Sequence, residues 1–288
     1  MSTHLSEQTR AVRRFASDSR AIRRLRWGLQ DRLLEREQHR RVLGPAHMRW
    51  RDNSATENRR RWSGYDWSHR GEEWNASPEW KDALIEHVLF RWIPAGTIAL
   101  EIGPGGGRWS EALLARSSRV VLVDVSERPL ELCRQRFAGE SRITYVLSSG
   151  SDLPGIPDRS IEAVWSFDVF VHLAPRDQAS YLDEIARVLA PGGVAVLHHA
   201  DGRNRGRLPS RAGWRAPMSR GLFAALANER GLDVENQFDS WGPDGRYDLS
   251  AFADAVTVCK PRITDRSPIS TAPANSSADG GAARSGLD

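Results

Sequence analysis

Two hydrophobic periods alternate through the middle of this chain. Short apolar runs with the two-residue period of strands are separated by stretches whose apolar positions step by three and four, the spacing of one helix face. The pattern predicts a strand ending at Ile102, a helix over Trp109 to Ala115, and a second strand over Arg119 to Asp124. A helix from Ser126 and Glu127 to Phe137 leads to a third strand, Ile143 to Leu147. After a turn-rich stretch, Ser148 to Asp158, the fourth strand is Ile161 to Phe167. Pro175 opens a helix through Tyr181, Ile185 and Leu189, which Pro191-Gly192-Gly193 ends, and the fifth strand is Val194 to His199. Beyond an arginine-rich loop, a helix from Ser219 to Arg230 precedes two last strands, about Asp233 to Phe238 and Phe252 to Cys259. Strands alternating with helices in this way predict an α/β, doubly wound sheet of seven strands closed by a hairpin.

The flanks read differently. Val12, Phe15, Ile22, Leu25, Leu29 and Leu33 lie on one helical face among arginines. Residues 1–61 carry sixteen arginines against seven acids, so the net charge of +4 conceals a basic helical extension on an acidic body. Such a helix packs on its own domain, rests on a membrane surface or meets an anionic partner. Residues 62–94 are rich in aromatics, including Trp62, Tyr65, Trp67, Trp74 and Trp80, and Ser77-Pro78 is a good helix start. The body spans 95–262, and residues 263–288 have the composition of a disordered tail. Two cysteines exclude a disulfide framework, and no spacing demands a metal site. With neither a signal-peptide pattern nor a membrane-length apolar run, the expected location is cytoplasmic.

The candidate chemistry starts at Glu101-Ile102-Gly103-Pro104-Gly105-Gly106-Gly107, a glycine turn between the first strand and its helix. Glycines there let a ligand approach the main chain. Asp124, at the end of the second strand, is placed to hold two ribose hydroxyls. A dinucleotide fingerprint would need glycine where Arg108 stands. The pattern E-x-G-x-G-x-G, with Asp124, instead resembles the first motif of class I S-adenosylmethionine-dependent methyltransferases, and Leu189-Ala190-Pro191-Gly192-Gly193 is similar to the turn before their fifth strand. The resemblance runs from about Trp62 to Lys260. It implies a Rossmann-like sheet whose last strand is antiparallel, S-adenosyl-L-methionine as cofactor, and a cofactor site built from Glu101, Gly103, Pro104, Gly105, Gly107 and Asp124, with Ser166 on the fourth strand. Many relatives place an aspartate after the third strand to meet the adenine amino group; here Ser149 and Gly150 stand there, with Asp152 as the alternative. The segment 62–94 lies where a lid over the cofactor would be, or else forms an aromatic packing layer.

A hydroxyl acceptor needs its proton removed as it attacks. His172, just after the fourth strand, and His198 and His199, ending the fifth, are the candidate bases, with His199 and His172 ahead of His198 and with Asp168 to orient His172. Strand alternation turns only one of His198 and His199 toward the site. Arg203, Arg205, Arg207, Arg211 and Arg215 form a loop able to bind an anion. Tyr65 to Ser68, Gly71 to Trp74 and Phe167 to His172 are similar to a bacterial subfamily that modifies sugars and polysaccharides, one type acting on the mycofactocin oligosaccharide. That resemblance implies O-methylation of a sugar hydroxyl. A lipid, quinone or other small natural product at a membrane, and RNA, are the alternatives.

Overall fold

The computed structural model describes residues 53–202, 215–249 and 254–262. The helical pattern from Val12 to Leu33, the loop arginines Arg203, Arg205, Arg207 and Arg211, and the tail lie outside the described residues. Helix α1 is Ala55–Ser63, capped by Ser54, whose hydroxyl accepts the Glu57 N–H at 3.3 Å. Two short 3₁₀ turns, Trp67–His69 and Glu72–Trp74, lead to α2, Pro78–Leu84, with Ser77 as its N-cap and Pro78 in its first turn. A π turn over Ile85–Leu89 carries α2 on to Trp92 and allows Leu84, Val88, Leu89 and Ile93 all to be buried.

The body follows the predicted alternation: β1 Ile98–Ile102, α3 Ser110–Arg116, β2 Arg119–Asp124, α4 Glu127–Arg136, β3 Ile143–Leu147, β4 Ile161–Ser166, α5 Pro175–Val188, β5 Leu189–Ala200, α6 Arg220–Glu229 and β6 Leu232–Phe238. A small ribbon, β7 Ser240–Trp241 with β8 Tyr247–Asp248, precedes β9 Asp254–Pro261. The seven-stranded sheet has the order β3-β2-β1-β4-β5-β9-β6, in which β9 runs antiparallel to both of its neighbours and the other pairs are parallel. Alternation along the central strands fills two cores. Ala99, Ala163, Trp165, Val196 and Val258 face one; Leu100, Ile102, Val164, Leu197 and Cys259 face the other.

One boundary differs from the sequence pattern by more than two residues. Strand β5 starts at Leu189, and Pro191-Gly192-Gly193 lies inside it as a bulge, between the pairs Ile161↔Leu189 and Ala163↔Val194. Gly192 has φ 80°, and a Cβ on Gly193 would sit 2.9 Å from the Ala190 carbonyl oxygen. The helix-stopping residues therefore turn the chain while the strand is already pairing. What places the site is the order of strands: β1 is flanked by β2 on one side and β4 on the other. Their connections leave in opposite directions and open a crevice at the carboxyl ends, the switch point of a doubly wound sheet.

Candidate active site

A pocket of about 940 Å³, its open mouth included, lies in that crevice. Its floor is the glycine turn after β1. Gly103, Gly105 and Gly107 have φ of 73°, 55° and 84°. A Cβ on Gly103 would sit 2.3 Å from Val169 Cγ2, and one on Gly105 would sit 2.6 Å from the Trp67 indole. Only glycine fits either backbone or space. Gly103, Pro104 and Gly105 line the pocket, whereas Gly107 shapes the turn from behind, its carbonyl accepting from Arg136 at 2.8 Å.

Two acids are buried at the strand ends. Asp124 lines the pocket and accepts the Ser126 N–H at 2.9 Å. Burial pushes its pKa up to about 7, against the pull of the Ser126, Gly105 and Val125 backbone amides. Glu101 sits behind the pocket wall. Burial raises it too to about 7, although the Ser110 hydroxyl donates to Oε2 at 2.5 Å; Oε1 has no hydrogen-bond partner among the described residues. Gly150 lines the pocket, whereas Ser149 and Asp152 do not. Asp152 Oδ1 is taken up within its own loop, accepting from the Ser149 N–H at 2.7 Å and the Ser148 hydroxyl at 2.9 Å. Ser166 is likewise structural: its hydroxyl donates to the Ile102 carbonyl at 3.1 Å and ties β4 to β1.

The histidines separate. His172 lines the pocket, with its ring 5.4 Å from that of Trp62. Alternation along β5 sends His199 to the side of the sheet covered by α6, where it stacks on Phe223 at 3.9 Å. Its ring nitrogens meet the Ala200 carbonyl at 2.9 Å and the Thr257 hydroxyl at 2.6 Å, and burial lowers its pKa to about 3. His199, placed first among the candidate bases, is thus a neutral core residue that does not line the pocket. His198 faces the other side and stacks on Phe167 at 4.1 Å, behind the pocket wall. Its Nδ1 accepts the Asp168 N–H at 3.0 Å and lies 3.2 Å from Asp168 Oδ1, and its Nε2 lies 3.4 Å from Asp254 Oδ2. Burial lowers the His198 pKa, but the two aspartates outweigh it and leave it above its ordinary value.

Asp168 orients His198 rather than His172. It has φ 60°, a turn aspartate tolerates, and pairs with Arg108. Burial would raise its pKa, yet Arg108 and His198 hold the carboxyl far below the usual range. Arg108 is the pocket residue that motif matching missed. Besides Asp168, it reaches the Gly71 carbonyl at 3.3 Å and lies over the Trp109 ring at 4.6 Å. The signal available was its place in the glycine turn where a dinucleotide site has glycine. Arg215, the described residue of the arginine loop that lines the pocket, is paired with Asp254 at 3.0 Å.

The aromatic segment divides between its two readings. Trp62, Trp67 and Trp74 line the pocket, with Trp67 lying over Gly105; Trp80 is buried in the core against Trp241 at 5.2 Å. Helix α1, assigned to the extension by its arginines, closes the pocket from above. Arg59 donates to the Val125 carbonyl and to that of Ser149, each at 3.1 Å, and the Asn53 and Asn58 amides donate to the His172 carbonyl at 3.1 and 2.9 Å.

Residues 100–197, from β1 to the middle of β5, match the family model described as a methyltransferase domain. The fold is that of the class I methyltransferases. It is similar to the structure of the CcbJ methyltransferase from Streptomyces caelestis, with TM-score 0.54 and 18% identity, covering 73% of this chain and 99% of that one. It is also similar to geranyl diphosphate C-methyltransferase from Streptomyces coelicolor A3(2), solved with S-adenosyl-L-homocysteine: TM-score 0.50, 17% identity, 62% and 76% coverage. Demethylmenaquinone methyltransferase from Clavibacter sepedonicus is 41% identical over 104 residues, which are 36% of this chain and 41% of that protein. The chain thus matches about two fifths of that relative's length. The cofactor indicated by the domain match and by the neighbour solved with S-adenosyl-L-homocysteine is S-adenosylmethionine, and the pocket fits it: a glycine floor that no Cβ could share, and two buried acids at the strand ends beside it. Among the described residues no group of acids, histidines and cysteines could hold a metal, and no helix is long and apolar enough to cross a membrane.

Proposed function

We propose that this protein transfers the methyl group of S-adenosylmethionine to a hydroxylated ring compound. One observation carries the reading: the buried Asp124 and the glycine floor open into the same pocket as His172 and the tryptophans. When bound, the cofactor supplies a methyl group on a positively charged sulfur, already activated for in-line displacement. The chain's own contribution is position and a proton acceptor. Asp124 receives the ribose hydroxyls, and Glu101, through its open oxygen behind the turn, supplies negative charge beneath the amino-acid end. Trp62, Trp67 and Trp74 exclude water and stack on a flat acceptor. His172 takes the hydroxyl proton; His198 and Asp168 hold the wall behind Phe167.

A hydroquinone-type ring is the first reading for the acceptor. The Clavibacter relative is named for demethylmenaquinone, the walls are aromatic, and a phenolic hydroxyl with a pKa of about 10 is within reach of a histidine base. Loss of that proton raises nucleophilicity at the oxygen and at the conjugated ring carbons, so the same base serves either position. A sugar hydroxyl is the second reading, favoured by Arg108 and Asp168 in the pocket lining, whose donors and acceptors suit several hydroxyls beside stacking rings. Transfer of tritium from methyl-labelled cofactor to a panel of naphthoquinols, benzoquinols and oligosaccharides tests both. Label in quinols alone supports the first and removes the second; label in saccharides alone does the reverse. A protein that fails to bind S-adenosylhomocysteine in calorimetry refutes the methyltransferase reading itself.

A further inference from the structure

Asn58, on helix α1 outside the methyltransferase domain match, has a side chain that the fold leaves half used. It is 1% exposed and lines the pocket. Its amide nitrogen lies 2.9 Å from the His172 carbonyl oxygen and 3.1 Å from those of Asn53 and Ser54. Three carbonyls around one terminal atom can be met only by the NH₂ end, so the orientation of the amide is dictated by the network. The other end, Oδ1, is buried and has no hydrogen-bond partner among the described residues. A buried acceptor without a donor is costly, and that cost is relieved if a ligand brings the donor.

The surroundings of Asn58 say which donor. Ala55, one turn earlier on α1, packs so closely on Gly150 that a Cβ there would sit 2.6 Å from its own. Arg59, the next residue, is bonded to the carbonyls of Val125 after β2 and Ser149 after β3. Asn58 therefore overhangs the part of the pocket beyond Asp124, walled by Val125, Gly150 and Leu173. A nucleoside whose ribose is held at Asp124 would find space for its base on that side. The loop after β3 offers the base no carboxylate, because Asp152 does not line the pocket and its Oδ1 is taken up by Ser148 and Ser149.

We propose that Oδ1 of Asn58 accepts a hydrogen bond from the 6-amino group of the cofactor's adenine, so that a helix preceding the sheet supplies the base-reading contact. The inference rests on the cofactor reading above. It is tested by calorimetry with S-adenosylhomocysteine and its 6-deamino analogue, in which hydrogen replaces the amino group. The full-length wild type should bind the analogue about tenfold more weakly, the size of one hydrogen bond to a buried group. Asn58→Ala should lose about tenfold for S-adenosylhomocysteine and bind the two ligands equally. Equal weakening toward both ligands would mean that Asn58 only holds the His172 carbonyl, and it overturns the proposal. So does a wild type that binds both ligands equally, a result that needs no variant to fold. A wild type that binds neither ligand instead refutes the cofactor reading beneath it.

Discussion

Asp124 carries the most consequential charge in the pocket, and replacing it with asparagine should stabilise the protein while disabling it. Its carboxyl titrates at about 7 where an unfolded aspartate titrates at 3.8, because burial outweighs the backbone amides that face it. The folded state thus holds this proton more tightly than the unfolded state. Its ionisation is a cost that begins as pH rises past about 4 and is fully present above about 7. That cost is on the order of 4 kcal/mol. Asp124→Asn removes it and keeps the shape, including the bond from the Ser126 N–H. The new NH₂ group must face backbone amides at the other oxygen position, a penalty of about 1–3 kcal/mol. The variant should therefore be more stable than wild type by about 1–3 kcal/mol near pH 8 and, because the amide penalty does not change with pH, less stable by about 1–3 kcal/mol near pH 4. Cofactor affinity should move the other way. Two ribose hydroxyls lose a charged acceptor, about 1.5–3 kcal/mol each, so binding of S-adenosylhomocysteine should fall by about a hundredfold or more. Urea denaturation across that pH range, with calorimetry on the same samples, measures both. A variant less stable than wild type near pH 8, or one that binds the ligand unchanged, refutes the reasoning.

Four further outcomes are expected. His172→Ala should lower turnover by about a hundredfold with cofactor affinity intact. His199→Ala should leave the pocket alone. The wild-type His199 resists protonation to about pH 3, so stability should drain away as pH falls below about 6.5, and His199→Asn should flatten that acid limb in denaturant titrations. Gly105→Ala should cost about 1–2 kcal/mol from its left-handed φ alone, and its methyl should drive the Trp67 indole off the floor, seen as lost calorimetric binding. Asp168→Asn should destabilise by about 2 kcal/mol near pH 7, by breaking its pairs with Arg108 and His198 at a carboxyl about a quarter exposed. Because the carboxyl is held below its ordinary range, the stability it provides is present above about pH 4 and is lost as pH falls further; the variant's deficit should shrink there in the same titration.

Local pattern was enough for the parts of this protein that depend on nearby residues. The periodicity of apolar positions placed β2 and β3 at their observed bounds and the other strands of the sheet within a few residues, because central strands and amphipathic helices carry their burial in their spacing. The glycine turn and Asp124 were legible because a backbone that admits no Cβ, and an acid at a strand end, are requirements written in residue type. Tertiary structure decided what depends on faces and on distant partners. Two adjacent histidines on β5 look alike in sequence, yet one is stacked on Phe223 in the core and the other is clamped between Asp168 and Asp254, the latter from a strand more than fifty residues away. Arg108 found its purpose only when β4 brought Asp168 beside it. Helix α1, read from its arginines as part of a basic extension, became the roof of the pocket because one of its faces meets the ends of β2, β3 and β4 together. Spacing along a chain determines which side of an element is apolar; only packing determines which distant atoms that side will meet.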